Sequence, residues 1–377
     1  MILFLHNRYR TTGGEERAVD DLLWLVREQL GEDAQLLARD SGSIGRAQAA
    51  AGLLRGGLDP HEVGDAVRRS GARIVHAHNL NPSLGWRSLA AARAAGAKTV
   101  LHLHNYRLVC AVGTCFTRGA DCVRCHGRDT RPGVRYNCRG TGAEAAVYAA
   151  SLALWQRRLV EHADAVVVPS AAAGERLRVL GAPLGGERGG RPLLHVVGHV
   201  VRDVVERSTA AAGRHALVVS RLAPEKGVDV AIAACAAAGV PLVIAGDGPL
   251  LATLRARAEG TDTTFAGLVD DAELVRLRAS AGLAVVPSRS AETFGLAAAE
   301  AMAAGLPVAG SAIGALPELC GHDGLVAPGD AAALALAVRT RFRDADAGEA
   351  ARLRVQRIAA PQAVCEALSA VYDAVGS

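Results

Sequence analysis

Aromatic residues are scarce in this 377-residue chain, at 3% of the total. Within the arginine-rich stretch 110–138 only Phe116 and Tyr136 could stack on a base, which counts against a nucleic-acid-binding module. No run approaches the ~18 consecutive apolar residues that span a bilayer. The start carries no charged leader with a cleavage site, so the expected location is cytoplasmic. No repeat of solenoid period is present. A dinucleotide fingerprint is also missing, because Gly246-Asp247-Gly248 is followed by Leu251 where the third glycine would fall. Lysine is nearly absent: of 42 basic residues only Lys98 and Lys226 are lysines.

What the chain does have is apolar and small. Half its residues are hydrophobic, and the length is ample for two domains that each bury a core. Strand-like runs at Ile2–His6, Ile74–His78, Thr99–His104 and Ala165–Pro169 alternate with helical stretches. Ala216–Ser220, Pro241–Ala245, Thr263–Phe265, Gly282–Val286 and Pro307–Ala309 continue the pattern. Such alternation predicts parallel α/β layers. The glycine-rich Pro183–Pro192 stretch and the charged Arg202–Arg207 segment place a boundary near residue 200. This predicts domains over 1–200 and 201–361, followed by an amphipathic helix over 362–375.

The most informative segment is Glu292-Thr293-Phe294-Gly295-Leu296-Ala297-Ala298-Ala299-Glu300. A glycine-containing loop leaves a strand and enters a helix, whose unpaired amides suit a phosphate. Two carboxylates flank that place, one in the loop and one in the helix. They would repel a phosphate, so their natural partners are hydroxyls. A ligand with phosphates in the middle and hydroxyl-rich groups at both ends is a nucleotide sugar. The bland alternative is two exposed glutamates beside a buried helix. Arg221 and Lys226 follow another strand, where anionic ligands bind in doubly wound sheets. A compact ammonium gives a phosphate a point charge without fork geometry. The alternative here is a surface turn with solvated charges.

Ser220–Gly227, Val243–Leu250, Phe265-Ala266-Gly267, Glu292–Glu300, Gly305–Val308, Gly314–Glu318 and Gly324–Asp330 occur in that order. The series resembles the family-4 retaining glycosyltransferases and covers nearly all of residues 215–330. The resemblance implies the α/β fold called GT-B, with two Rossmann-like domains whose parallel sheets face each other across a cleft that holds the donor. It also implies a terminal helix packing back on the first, acceptor-side domain. By resemblance, Arg221, Lys226 and the amides of Phe294, Gly295 and Leu296, beside Thr293, stabilise the leaving diphosphate. Glu292 holds sugar hydroxyls and Glu300 the ribose. Gly13 and Gly14, in the Asn7–Glu16 loop, would cap the diphosphate, although an ordinary βα turn reads the same way. His104 matches a histidine that contacts the donor sugar. Asn105 stands where an aspartate is commoner, so no carboxylate base is expected from that position. Gly198-His199 replaces the Asn-Gly pair often found at the domain crossing, and His76 and His78 read as cleft-lining or structural. The resemblance implies no catalytic metal.

Five of the eight cysteines follow directly, at 110, 115, 122, 125 and 138. The Cys-x2-Cys spacing predicts a structural zinc; similar inserts in the family select Cys110, Cys122, Cys125 and Cys138, with Cys115 extra. Free thiols are the alternative in a reducing compartment. Residues 1–200 carry 26 basic and 18 acidic side chains against 16 and 20 in the remainder. This basic half suits an anionic or lipid-linked acceptor or a membrane surface, or is simply a solvated arginine-rich face. The helical run Ala145–Trp155, followed by Arg157 and Arg158, reads as a core helix or as one lying at the inner face of a membrane. The function expected is transfer from a UDP- or GDP-sugar to a sugar or lipid-linked acceptor in polysaccharide or glycolipid assembly. The alternative is a catalytically idle nucleotide-sugar-binding partner of another enzyme.

Overall fold

The computed structural model describes residues 1–10, 13–202 and 206–376. Thr11 and Thr12 of the glycine loop, residues 203–205 of the charged connector and Ser377 lie outside the described residues. The chain forms two compact units: Met1–Thr117 with Val123–Val200 and Val364–Ser377, and Arg118–Cys122 with Val201–Ala363.

The first unit is built on six parallel strands: β1 (Ile2–Arg8), β2 (Ala34–Asp40), β3 (Ile74–Ala77), β4 (Lys98–His102), β5 (Ala165–Val168) and β6 (Leu194–Val196). Their order across the sheet is β6-β5-β4-β3-β1-β2. Runs such as Ala165-Val166-Val167-Val168 are wholly buried, as a parallel strand covered on both faces must be. Ile2, Phe4, Ile74, Val100 and Val167 point to one face, where they pack against Val19, Leu22, Leu25 and Val26 of helix Gly14–Glu28. Val364, Leu368, Val371, Tyr372 and Val375 of the last helix, Pro361–Gly376, join that core. Their spacing is the one-face repeat of an amphipathic helix.

β2 is absent from the sequence expectation. It lies at the sheet edge, carries no β-branched residue and is only partly buried. It therefore lacks the composition by which buried strands announce themselves.

The second unit repeats the plan with β7 (His215–Val219), β8 (Leu242–Ala245), β9 (Thr263–Gly267), β10 (Ala281–Val286), β11 (Val308–Ser311) and β12 (Leu325–Val326). Their order is β9-β8-β7-β10-β11-β12. Alternate residues of β7 serve opposite faces. Ala216 and Val218 pack with helices Val228–Ala238 and Ala331–Arg341, whereas Leu217 packs with Leu296–Ala303 and Ala345–Ala359.

In the first unit, helix Gly142–Glu161 buries Ala145, Ala149, Leu152, Gln156 and Val160, a stripe at helical spacing. No helix among the described residues is long and apolar enough to cross a membrane.

Candidate active site

In the second sheet the chain starts at β7, runs to one edge, then returns to β10 on the other side of β7. Loops leaving adjacent strands at such a reversal diverge, and ligands bind in the crevice they open. Arg221 and Lys226 lie just past β7, and Glu292 lies just past β10. Lys226 Nζ donates to Glu292 Oε1 at 2.7 Å, and Ser288 Oγ donates to the same oxygen at 2.6 Å. Burial alone would raise the Glu292 carboxyl. The Lys226 charge and the hydrogen bonds from Lys226 and Ser288 outweigh it and hold the group below its ordinary range.

Two glycines make this approach sterically feasible. Gly227 sits at φ 63°, and a Cβ there would lie 2.1 Å from the Pro287 carbonyl oxygen. Gly314, at φ 60°, brings its backbone against Glu292, where a Cβ would meet the carbonyl oxygen at 2.4 Å and the amide nitrogen at 2.5 Å. Gly314→Ala therefore combines left-handed strain of about 1–3 kcal/mol with displacement of the Glu292 backbone. We expect a lowered Tm together with weakened nucleotide binding, both read in one thermal-shift titration. Unchanged binding would mean that Gly314 does not position Glu292.

The other residues expected in this unit separate by role. The Arg221 side chain is 59% exposed and pairs with the buried Glu225. Phe294 is part of the apolar core, so only its backbone can face a ligand. Gly295, at φ 93°, opens helix Leu296–Ala303. Glu300 is buried one turn into that helix and bonds to Arg278 of helix Asp271–Ser280, also buried. Arg278 belongs to no motif, and only the fold brings it to Glu300.

In the first unit the chain reverses between β1 and β3. The loop after β1 is tied by Glu16, which accepts from the amides of Tyr9 and Gly13, each at 2.9 Å. The Gly13 amide thus has a partner within its own loop. Asn105 brings no carboxylate of its own, but it holds one. Its Nδ2 donates to Glu15 Oε2 at 2.9 Å, as does the Tyr9 hydroxyl. Arg107 Nη1 donates to the Tyr9 hydroxyl at 3.0 Å. Burial raises the Glu15 carboxyl, and Arg107, His6 and the two hydrogen bonds only partly reverse this. Glu15 escaped the sequence reading because its link to Asn105 joins residues 90 positions apart.

His104 does not stand alone. His76, His78, His102, His104 and His199 are all buried. Their rings stack, with centroids 4.5 Å apart for His76–His78, 5.0 Å for His78–His104, 4.2 Å for His102–His104 and 5.1 Å for His104–His199. Burial keeps them neutral: His76 falls to about 3 and His199 to about 4, with the other three well below the usual imidazole value.

All eight cysteines are free thiols. Burial pushes the Cys235 and Cys320 thiols up to about 12. A shared hydrogen bond holds the Cys110 thiol down to about 6 and pushes the Cys115 thiol up. The side-chain clusters suited to a metal among the described residues consist of histidines alone. Of the cysteines expected to hold a structural zinc, Cys125 is buried and Cys110, Cys122 and Cys138 are partly buried.

Residues 213–344 match the family model for glycosyl transferases group 1, and residues 10–185 match that of the glycosyl transferase 4-like domain. The chain belongs to the group 1, family-4 glycosyltransferases. Within this family it is 46% identical over 127 residues to the GDP-mannose-dependent alpha-(1-6)-phosphatidylinositol dimannoside mannosyltransferase of Mycobacterium tuberculosis, covering 32% of this chain and 33% of that protein. It is 41% identical over 172 residues to the glycogen synthase of the same species, covering 41% of each. The match thus spans a third to two fifths of these curated relatives. Among solved structures, sucrose-phosphate synthase from Thermosynechococcus elongatus aligns with a TM-score of 0.70 at 19% identity, covering 99% of this chain and 98% of that one. Anabaena HepE in complex with UDP aligns with a TM-score of 0.65 at 18% identity, covering 99% of both chains. The fold is GT-B.

Proposed function

We propose that this glycosyltransferase moves a hexosyl group, with retention, from a GDP- or UDP-sugar to an acceptor hydroxyl in cell-surface polysaccharide or glycolipid assembly. The observation that carries this reading is Lys226 held on Glu292 at the chain reversal of the second sheet, with Arg221 beside it. Breaking the bond between the sugar and its diphosphate builds negative charge on the leaving group and positive charge on the ring. Lys226, Arg221 and the amides of Phe294–Leu296 stabilise the first. A diphosphate that draws Lys226 Nζ toward itself frees Glu292 Oε1 for a sugar hydroxyl. Glu300 serves the ribose.

Residues 201–361 form the donor domain in this reading and residues 1–200 the acceptor domain, with His104 close to the reacting carbon. No side chain is assigned as nucleophile, so the acceptor attacks from the side of the departing diphosphate, without a catalytic metal. The name of the phosphatidylinositol-modifying relative supports a lipid-linked acceptor met at a membrane surface, and it favours GDP over UDP. UDP in the HepE complex supports the other base.

Calorimetric titration with GDP, UDP, ADP, GDP-mannose and UDP-glucose, each with and without EDTA, tests the donor assignment. Saturable binding of one nucleotide and its sugar, unchanged by EDTA, is expected. A folded protein that binds none of them overturns it. Retention is checked by the anomeric configuration of the transferred sugar in NMR, where an α-linked donor must give an α-linked product.

A further inference from the structure

We propose that His102, His104 and His199 in the first unit form a site for one borderline transition-metal ion of the Zn2+, Ni2+ or Co2+ type. This goes beyond the transfer reaction and does not rest on it. Each of the three residues offers a ring nitrogen, and these nitrogens lie within 4.8 Å of one another. All three rings are buried, and no carboxylate belongs to the group. Imidazole nitrogen is the donor that suits these ions, and three histidines with a water as fourth ligand are an established zinc set. At a bond length of ~2.0–2.1 Å, a tetrahedral ion holds its ligand nitrogens ~3.4 Å apart. Closing to that spacing requires rings now stacked nearly parallel, 16° for His102–His104 and 18° for His104–His199, to turn out of their shared orientation so that their in-plane lone pairs converge.

The surrounding hydrogen bonds admit the proton arrangement that such a site needs. His102 Nε2 is buried without a hydrogen-bond partner. Its Nδ1 is 3.3 Å from His76 Nε2, and His76 Nδ1 is 2.8 Å from the Tyr372 hydroxyl. If His102 Nδ1 donates to His76, and His76 Nδ1 donates to Tyr372, then His102 Nε2 presents a lone pair. His104 Nε2 is 2.8 Å from His78 Nδ1. If it donates there, Nδ1 is the nitrogen that His104 presents. Both ligands thereby gain the outer partner that fixes the tautomer and raises the basicity of a metal-bound imidazole. The two conditions are compatible, and the second places the His78 proton on its buried Nε2, which has no hydrogen-bond partner.

The test uses the untagged full-length protein, stripped with EDTA and titrated with Co2+ under visible absorption and equilibrium dialysis. The expected result is about one bound equivalent with nitrogen and oxygen ligand-field bands and no thiolate-to-cobalt charge transfer. Binding should persist in Cys122→Ser/Cys125→Ser. It should weaken at least ~10-fold in His102→Gln and in His199→Gln, each shown folded by circular dichroism. His199 lies outside the strands, which keeps that variant informative if His102→Gln fails to fold. Absence of binding, a thiolate band lost in the cysteine variant, or full binding by folded His199→Gln each overturns the proposal. Nucleotide titration of the same samples reports on the second unit separately, so failure of the donor reading would leave this result standing.

Discussion

Replacing Lys226 with alanine is expected to lower kcat/KM by about 10²–10³, the usual cost of deleting one preorganised group that meets developing charge. The reason is local. Among the described residues the Lys226 ammonium is the cation bonded to Glu292, and the Glu292 carboxylate also takes the Ser288 hydroxyl. In the proposed donor site, removing Lys226 withdraws a positive charge from the leaving diphosphate and leaves the half-buried Glu292 carboxylate without that counter-charge.

Lys226→Arg is expected to recover little. The turn Pro224–Lys226 is closed by Gly227 against the Pro287 carbonyl, and a planar fork needs room and an angle that a point charge does not. Glu292→Gln separates the two effects: it keeps the shape, removes the negative charge and should cost kcat while sparing nucleotide affinity. The pair also has a pH signature. Because Lys226 and Ser288 hold the folded-state Glu292 carboxyl below its ordinary value, its contribution to stability is complete above that ordinary value and is lost as pH falls through the folded value. Glu292→Gln should therefore flatten the acid limb of the stability curve below about pH 4.5. A kcat/KM that falls less than about threefold in Lys226→Ala would remove Lys226 from the charge-stabilising role.

The fold of the second unit was legible because its motifs are written in short contiguous segments. Ser220–Gly227 and Glu292–Glu300 each contain a strand end, a glycine and the charged residue that follows. Lys226 and Glu292 are nevertheless 66 positions apart, and only adjacency of β7 and β10 lets them meet. The first unit was less legible for the same reason. The register Ile74↔Lys98 to Ala77↔Leu101 carries the His76/His78 and His102/His104 pairs to the same end of the sheet. A strand pattern says which residues alternate, not which neighbour they face. Glu15 resembles any acidic residue in a helix's first turn until Asn105 and Tyr9 are seen to bond it.

Arg278→Ala is expected to destabilise the second unit by about 3–5 kcal/mol, because it removes the buried cation bonded to the buried Glu300 carboxylate. For a unit of this size that corresponds to a fall in Tm of roughly 10 °C. Arg278 Nε is itself buried without a hydrogen-bond partner, so the pair is incompletely satisfied and gains little over an apolar substitute. Arg278→Met combined with Glu300→Leu should accordingly fold with near-native Tm, although each single change is costly. That pattern separates the structural role from the ligand role. If Glu300 holds the ribose, the stable double variant loses nucleotide affinity, because the apolar pair has no acceptor for a hydroxyl. Retained affinity in the double variant would reduce Glu300 to the counter-ion of Arg278 and move ribose recognition elsewhere in the second unit. A loss of less than about 1 kcal/mol in Arg278→Ala would instead show that water reaches the pair, since only a screened carboxylate tolerates losing its cation so cheaply.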